Sequence, residues 1–476
     1  MIFKISKYLI FFLVVYSLSG SLLLADINET SSKALESSIK ATYAAQKDQE
    51  IDTNTALFLA GESVTIPNEK DTTLKDVVSI SISANYRVKQ AQERISQAEY
   101  GTQEASADFL PQVDLSVAGL NKRSKGFDEQ KYNQGKGDLA LTYNLYSSGM
   151  HVANVERTQI TKLEQENRLK GTIEEEVLKV IDAYFSVVYG RRSLEVNKSN
   201  YDKLLKVLEI VKIKRQLGAA TLGDENSILA SVSNAKTAFI NTESAYNNAK
   251  DYYQFLTGAS IEALNPYETE FDVKVKPFGE LFEEIKQGNT DLNLINTQIK
   301  GKQKDVEVNN ATNGLKIDLS ITNSQRNKDD FYAPKADRIN RDFSAELIFS
   351  YNLYNGGRTE AKAAKLMSEV SGLVYNLEYT IKDTKWNSQK LFNSVQTNSK
   401  TIDTLSTEIG ASKKMADAYW EKFRLSSQDL VTLLQAQRQV NSAELEKLRS
   451  EKTRLIDYFN LLTKQGKLLE YFNLQN

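Results

Sequence analysis

A chain of 476 residues with 60 Lys and Arg against 62 Asp and Glu carries a net charge of −2, and without a dense basic stripe it does not suit phosphate-backbone recognition. Cysteine is absent and His151 is the single histidine, which removes disulfides and thiol catalysis and argues against a zinc site. The length would suit two or three ordinary domains unless long helices take it up.

At the N-terminus Lys4 and Lys7 precede the apolar run YLIFFLVVYSLSGSLLLA, which ends in small residues before Asp26. This reads as a secretory signal peptide over residues 1–25; an uncleaved anchor is the alternative. No later segment approaches the roughly 20 continuous apolar residues of a membrane helix, so an exported chain of this kind is soluble or crosses a membrane as strands. Residues 26–72 form an extension without a clear pattern, apart from a short helix expected over 32–48.

From Thr73 to Ala107 apolar residues recur at helical spacing: Leu74, Val78, Ile82 and Tyr86, then, after one offset, Val88, Ala91, Ile95 and Ala98. Pro111 closes this helix. Two alternating segments follow. Val113, Leu115 and Val117 alternate with smaller or polar residues, and Leu139, Leu141, Tyr143 and Leu145 do so again. The polar stretch 121–137 between them reads as a loop. From His151 to Gln216 there is no proline, and an apolar stripe runs through Val180, Tyr184, Val187 and Leu194; as one helix this would be about 100 Å long. A second helix covers 227–256.

The same order then returns. A helix is expected over 278–310. Leu315, Ile317, Leu319 and Ile321 alternate in a third strand, and Phe343, Ala345, Leu347, Phe349, Tyr351 and Leu353 in a fourth, with a polar loop at 323–342 between them. Helices at 359–423 and 429–462 complete the half. YNLYSSGM, residues 143–150, reappears as YNLYNGGR, residues 351–358. The chain is thus internally duplicated, with a first repeat over 73–270 and a second, with its C-terminal tail, over 271–476. Four strands alone make a poor sandwich core and leave two bare edges; closure into a ring by several copies removes both difficulties. Leu139, Leu141, Leu145, Leu347, Phe349 and Leu353 would then face lipid, and Asp114, Asn144, Asp318, Glu346 and Asn352 the lumen. Small residues at the strand-to-helix turns, Ser147, Ser148 and Gly149 and again Asn355, Gly356 and Gly357, allow the chain to bend.

These features together resemble the outer-membrane efflux and secretion channel family, the TolC-like channels. The resemblance rests on TLKDVVSISISANYRV (73–88), FLPQVDLS (109–116), LFEEIKQGNTDLNLI (281–295), GLKIDLS (314–320), NLYSSG (144–149) and NLYNGG (352–357). It also rests on the far-end turns, Gly218, Thr221 and Asp224 in the first half and Ser426, Asp429 and Thr432 before Leu433, Leu434, Ala436 and Gln437 in the second. It implies a mainly α chain with transmembrane β: a homotrimer whose four strands per copy make a twelve-stranded barrel in the outer membrane of a Gram-negative bacterium, continued by a long α-helical barrel through the periplasm. Asp224, Asp429 and Thr432 would lie at the periplasmic gate, with Lys214, Arg215, Lys422 and Arg424 as partners. As helix caps the two aspartates need no gate role.

The family also implies no enzymatic activity and no cofactor, a periplasmic adaptor, and an inner-membrane ABC or proton-driven transporter. The function expected is that of a passive, gated exit duct in a tripartite export system, in type I protein secretion on the strength of the 26–72 extension and the 121–137 loop. The alternatives are small-molecule or drug efflux and a non-conducting envelope structural protein.

Overall fold

The computed structural model describes residues 73–124, 130–258, 271–329, 339–425 and 429–474. They lie within one unit, Thr65–Asn476; the signal peptide and the helix expected at 32–48 fall outside them. The elements run α1 (Leu74–Ala84), α2 (Tyr86–Ala107), β1 (Gln112–Ser124), β2 (Gln130–Tyr146), α3 (Met150–Gln216) and α4 (Leu222–Thr257). The second half repeats them as α5 (Phe278–Gly288), α6 (Thr290–Ala311), β3 (Lys316–Asp329), β4 (Ile339–Ser350), α7 (Arg358–Arg424) and α8 (Leu430–Lys464), before the short α9 (Leu468–Tyr471).

Each repeat's opening helix is two helices rather than the single one that periodicity suggests. The break falls at an asparagine both times. Asn85 accepts hydrogen bonds from the Arg87 and Val88 amides, and Asn289 accepts one from the Leu292 amide. A side chain that satisfies the first free amides of a helix starts a new one where it stands.

The four strands form one open antiparallel sheet in the order β1-β2-β3-β4. The helices inherit that order near the sheet: α2 leads into β1, β2 into α3, α6 into β3 and β4 toward α7. Lys162–Glu99 at 3.4 Å joins α3 to α2, Arg157–Asp305 at 2.8 Å joins α3 to α6, and Lys302–Glu369 at 2.8 Å joins α6 to α7. In the distal half α4 and α8 take the places of α2 and α6. Arg192–Glu451 at 3.0 Å links α3 to α8 and Lys413–Glu444 at 2.5 Å links α7 to α8. Partly exposed pairs of this kind set register more than they stabilise.

Among the described residues only α3 and α7, 67 residues each, run through both halves. At the changeover a buried apolar core gathers Leu74, Val77, Val177, Ile181, Tyr184, Phe185, Tyr253 and Phe459. Tyr184, Phe185, Tyr253 and Phe459 therefore serve as packing, whereas Phe255 on α4 and Tyr375, Tyr379 and Trp386 on α7 are exposed. The α5–α6 break meets the end of α8 here at very short range. A Cβ on Gly288 would sit 2.0 Å from the Gln465 carbonyl oxygen, and the chain turns away through Gly466 at φ +70°. Backbone cannot step aside as a side chain does. Gly288→Ala is expected to cost about 1–3 kcal/mol, read as a lower thermal midpoint by circular dichroism in detergent.

The segments 121–137 and 323–342 are largely strand rather than loop. β1 and β2 pair as far as Ser124↔Gln130, and β3 and β4 as far as Asn327↔Ile339. The ladder's backbone hydrogen bonds continue after the apolar alternation ends, because the pairing is made by backbone groups that every residue carries. Conversely, β4 stops at Ser350, so Tyr351 and Leu353 lie beyond the strand, and Leu353 is 90% exposed in the connection to α7.

Candidate channel wall and helix-tip site

The register sorts the sheet's side chains into two faces. On one, Val113, Leu141, Ile321 and Ala345 lie in a row across the four strands, and Tyr143, Leu319 and Leu347 in another. Leu139 and Phe349 belong to the same face. On the other, Gln112, Thr142, Ser320 and Glu346 form one row and Ser116, Asp138, Ser324 and Asp342 another. The polar rows are hydrogen-bonded laterally: Ser324 donates to Asp138 at 2.6 Å, and Asn144 donates to Asp318 at 2.7 Å. Leu115, Leu347 and Phe349 are left 74%, 52% and 63% exposed, an apolar surface on an otherwise open sheet.

Besides Leu353, beyond the end of β4, a second predicted apolar position departs from this order. A bulge after Asn144 brings Tyr146, not Leu145, opposite Ile317, so Leu145 drops out of the alternation and the aromatic ring takes the apolar face.

The strand-to-helix turns are built alike in the two repeats. Ser148 and Gly149 have φ of +51° and +80°, and Gly356 and Gly357 have +73° and +76°. Serine in the left-handed region is costly, and here its hydroxyl is held by the Leu315 carbonyl at 2.8 Å. Ser147 accepts from the His151 amide, while Asn355 accepts from the Arg358 amide and donates to Asn313.

At the far end, α3 stops through Gly218 at φ +73°, whose amide bonds the Arg215 carbonyl. Thr221 and Asp224 then form a capping box on α4: the Asp224 carboxylate accepts from the Thr221 amide at 2.8 Å and its hydroxyl at 2.7 Å. These donors hold the Asp224 carboxyl below its usual range, the amide contributing most. Asp429 caps α8 by accepting from the Val431 amide at 3.1 Å, and Thr432 is half-buried one turn on. Residues 426–428, including Ser426, lie outside the described set.

The basic residues divide between local and long-range contacts. Arg215 pairs with Glu225 within the first hairpin, and Arg424 pairs with Glu421 at 3.3 Å on α7; Lys422 is exposed. Lys214 crosses between repeats: its ammonium donates to the Phe423 carbonyl at 2.5 Å and lies 4.1 Å from the centre of the Phe423 ring. Neither Glu225 nor Phe423 stands out in the sequence, because the contacts depend on how α3 and α7 are brought together.

Among the described residues no helix is long and apolar enough to cross a membrane, and no three His, Cys, Asp or Glu side chains are grouped to hold a metal. A family model described as "Outer membrane efflux protein" matches residues 77–259 and 281–466. No curated protein sequence matches the chain. Among solved structures it resembles CusC, which forms a transmembrane channel (14% identity, TM-score 0.73, 83% of this chain and 92% of that one). It also resembles the Campylobacter jejuni CmeC outer membrane channel (14%, 0.71, 83% and 86%) and the open-state Neisseria gonorrhoeae MtrE outer membrane channel (16%, 0.70, 83% and 89%). At these identities the structural likeness shows the fold, while the family match rests on the sequence.

Proposed function

Because the chain belongs to the outer membrane efflux protein family, we propose that it is the outer-membrane exit duct of a tripartite pump for small molecules. Membership makes it an outer-membrane channel protein with a long periplasmic helical portion and no enzymatic activity. The observation that carries the finer reading is the two-faced open sheet, apolar on one side and polar on the other, with β1 and β4 each left with a bare edge. Bare edges do not survive in lipid, so β1 of one copy pairs with β4 of the next until the ring closes. Three copies give twelve strands, and a polar lumen ringed by Asp114, Asp318 and Glu346.

Export of small molecules is favoured over type I protein secretion. The matched family is one of efflux proteins, and the 121–137 segment that suggested an extra secretion-related loop is mostly an ordinary strand pair. The pump would be completed by a periplasmic adaptor and an inner-membrane transporter, with the duct itself passive. Asp224, Asp429 and Thr432, with Lys214, Arg215, Lys422 and Arg424, would form its gate at the helix tips.

Purified mature protein in a planar bilayer should give discrete conductance steps from a species that sedimentation identifies as a trimer. Deletion of the gene should raise sensitivity to toxic small molecules while leaving secreted proteins unchanged. A folded oligomer that never conducts would return the reading to an envelope structural protein.

A further inference from the structure

The changeover between the two halves of the helical layer holds two acidic side chains of the same α3 turn, each directed to a different helix break. Glu176, 4% exposed, accepts from Asn85 Nδ2 at 3.0 Å at the α1–α2 break and is also held by Lys179 at 2.9 Å and Arg87 at 3.3 Å. Glu174, also 4% exposed, faces Thr290 at the start of α6, where α5 and α6 meet the end of α8. Its surroundings are different. Neither Glu174 Oε1 nor Thr290 Oγ1 completes a hydrogen bond, although both are buried.

We propose that Glu174 is a proton-operated latch on this joint, closed when its carboxyl is protonated and loosened when it is ionised. The inference rests on the reading of the chain as a duct, because the α7–α8 pair that the joint anchors carries half of the distal tip.

The joint has the parts such a latch requires. Asn289 Nδ2 donates to the Lys464 carbonyl at 3.1 Å, Lys464 Nζ lies 3.6 Å from Asp291, and Gly288 packs against the Gln465–Gly466 backbone. A protonated Glu174 is neutral, as its buried site requires, and leaves α3 packed against α6 beside the Thr290 hydroxyl. An ionised one is a buried charge whose desolvation Thr290, Lys170 and Lys464 offset only in part. It competes with Asp291 for Lys464 and draws in water, and both effects pull on the α8 end.

The groups facing it are Lys170 on its own helix, Asp291 on α6 and Lys464 on α8, besides the Thr290 hydroxyl. Burial is the largest influence and Asp291 acts with it, while Thr290, Lys170 and Lys464 oppose it; the carboxyl is pushed up to about 7. A carboxyl raised in this way favours the folded joint fully below the ordinary glutamate range, and that stability is lost as pH rises toward about 7. Burial pushes the neighbouring Glu176 up, but Lys179, Asn85 and Arg87 together outweigh it and shift the carboxyl downward, so it stays ionised across the same interval.

The test combines amide hydrogen exchange on the full-length trimer with single-channel recording between pH 5.5 and 8.5. After correction for intrinsic rates, amides around 289–294 and 461–467 should exchange about tenfold faster at the upper end, with a midpoint near 7 and a parallel rise in open fraction. Glu174→Gln should remove both transitions, and Thr290→Val, which leaves the carboxyl in place, should move them upward. Glu176→Gln should leave the midpoint where it is. Transitions that persist in Glu174→Gln, or a pH-independent joint in the natural protein and Thr290→Val alike, would overturn the latch. A joint that titrates as expected in a trimer that never conducts would support the latch and overturn the duct.

Discussion

Leu347→Arg is expected to abolish accumulation of the protein in the outer membrane. Leu347 lies opposite Leu319, which lies opposite Tyr143, in the middle of the apolar face, and its side chain is half exposed, with nothing among the described residues to cover it. If lipid covers it, a guanidinium there costs about 2–4 kcal/mol per copy near the bilayer midplane, and a threefold ring meets that cost three times. The adjacent residue supplies the control. Glu346 shares the polar row with Gln112, Thr142 and Ser320, so Glu346→Arg should assemble normally and shift the channel's ion preference toward anions. Membrane fractionation with heat-modifiability on gels reads the first outcome, and reversal potentials in a salt gradient read the second. Normal assembly of Leu347→Arg together with failure of Glu346→Arg would invert the assignment of faces.

The paired outcome matters because the faces were legible in the sequence only where one of them is apolar. Val113 to Val117, Leu139 to Tyr143 and Ile317 to Ile321 alternate cleanly, and the strands lie there. Beyond them both faces are polar, alternation ends, and the pairing of Lys122 with Tyr132 or Gln325 with Arg341 is set by backbone ladders that composition does not record. The bulge at Leu145 is a property of pairing with β3 and has no local signature. The long helices were legible almost to the residue, since Gly149, Gly218 and Gly357 punctuate them. Their internal breaks were less so, although SANYR and QGNTD each carry an asparagine suited to begin a helix.

The candidate sites divide in the same way. Thr221 with Asp224 three residues on is a sequence pattern, and the capping box forms where that pattern stands. Glu174, within EEE on a helix, reads as solvated surface; it is buried because α6 begins against α3 at that level. Burial of that kind depends on which helices neighbour α3, information held in residues far away along the chain.

The link between Lys214 and Phe423 is of this long-range kind, and removing it is the second large effect expected. Phe423 lies in the last turn of α7, where carbonyls lack partners within the helix and the dipole favours a cation, so Lys214 meets a real acceptor there. A charge-assisted hydrogen bond contributes about 1.5–3 kcal/mol and the ammonium over the ring about 0.5–1 kcal/mol. Losing about 1.4 kcal/mol shifts an equilibrium tenfold, so Lys214→Ala should raise the open fraction of single channels by at least about tenfold if this contact holds the tips closed. Lys214→Arg, which keeps both interactions, should stay close to the natural protein.

Two neighbouring substitutions separate gating from local stability. Arg215→Ala removes a pair confined to the α3–α4 hairpin and should cost at most about 1 kcal/mol, with a much smaller rise in open fraction than Lys214→Ala. Asp224→Ala loses a helix cap, about 0.5–2 kcal/mol, and frays the start of α4. The Asp224 carboxyl is held low, so its cap is fully present above the ordinary carboxylate range and is lost only as pH falls below it. Acidification to pH 5.5 therefore leaves the cap intact while it protonates Glu174. A channel whose open fraction rises in Lys214→Ala at both pH 5.5 and 8.5, yet responds to pH only while Glu174 is present, would place the lock at the tip and its bias at the joint. Equal open fractions in Lys214→Ala and the natural protein would reduce Lys214 to an ordinary cap on α7.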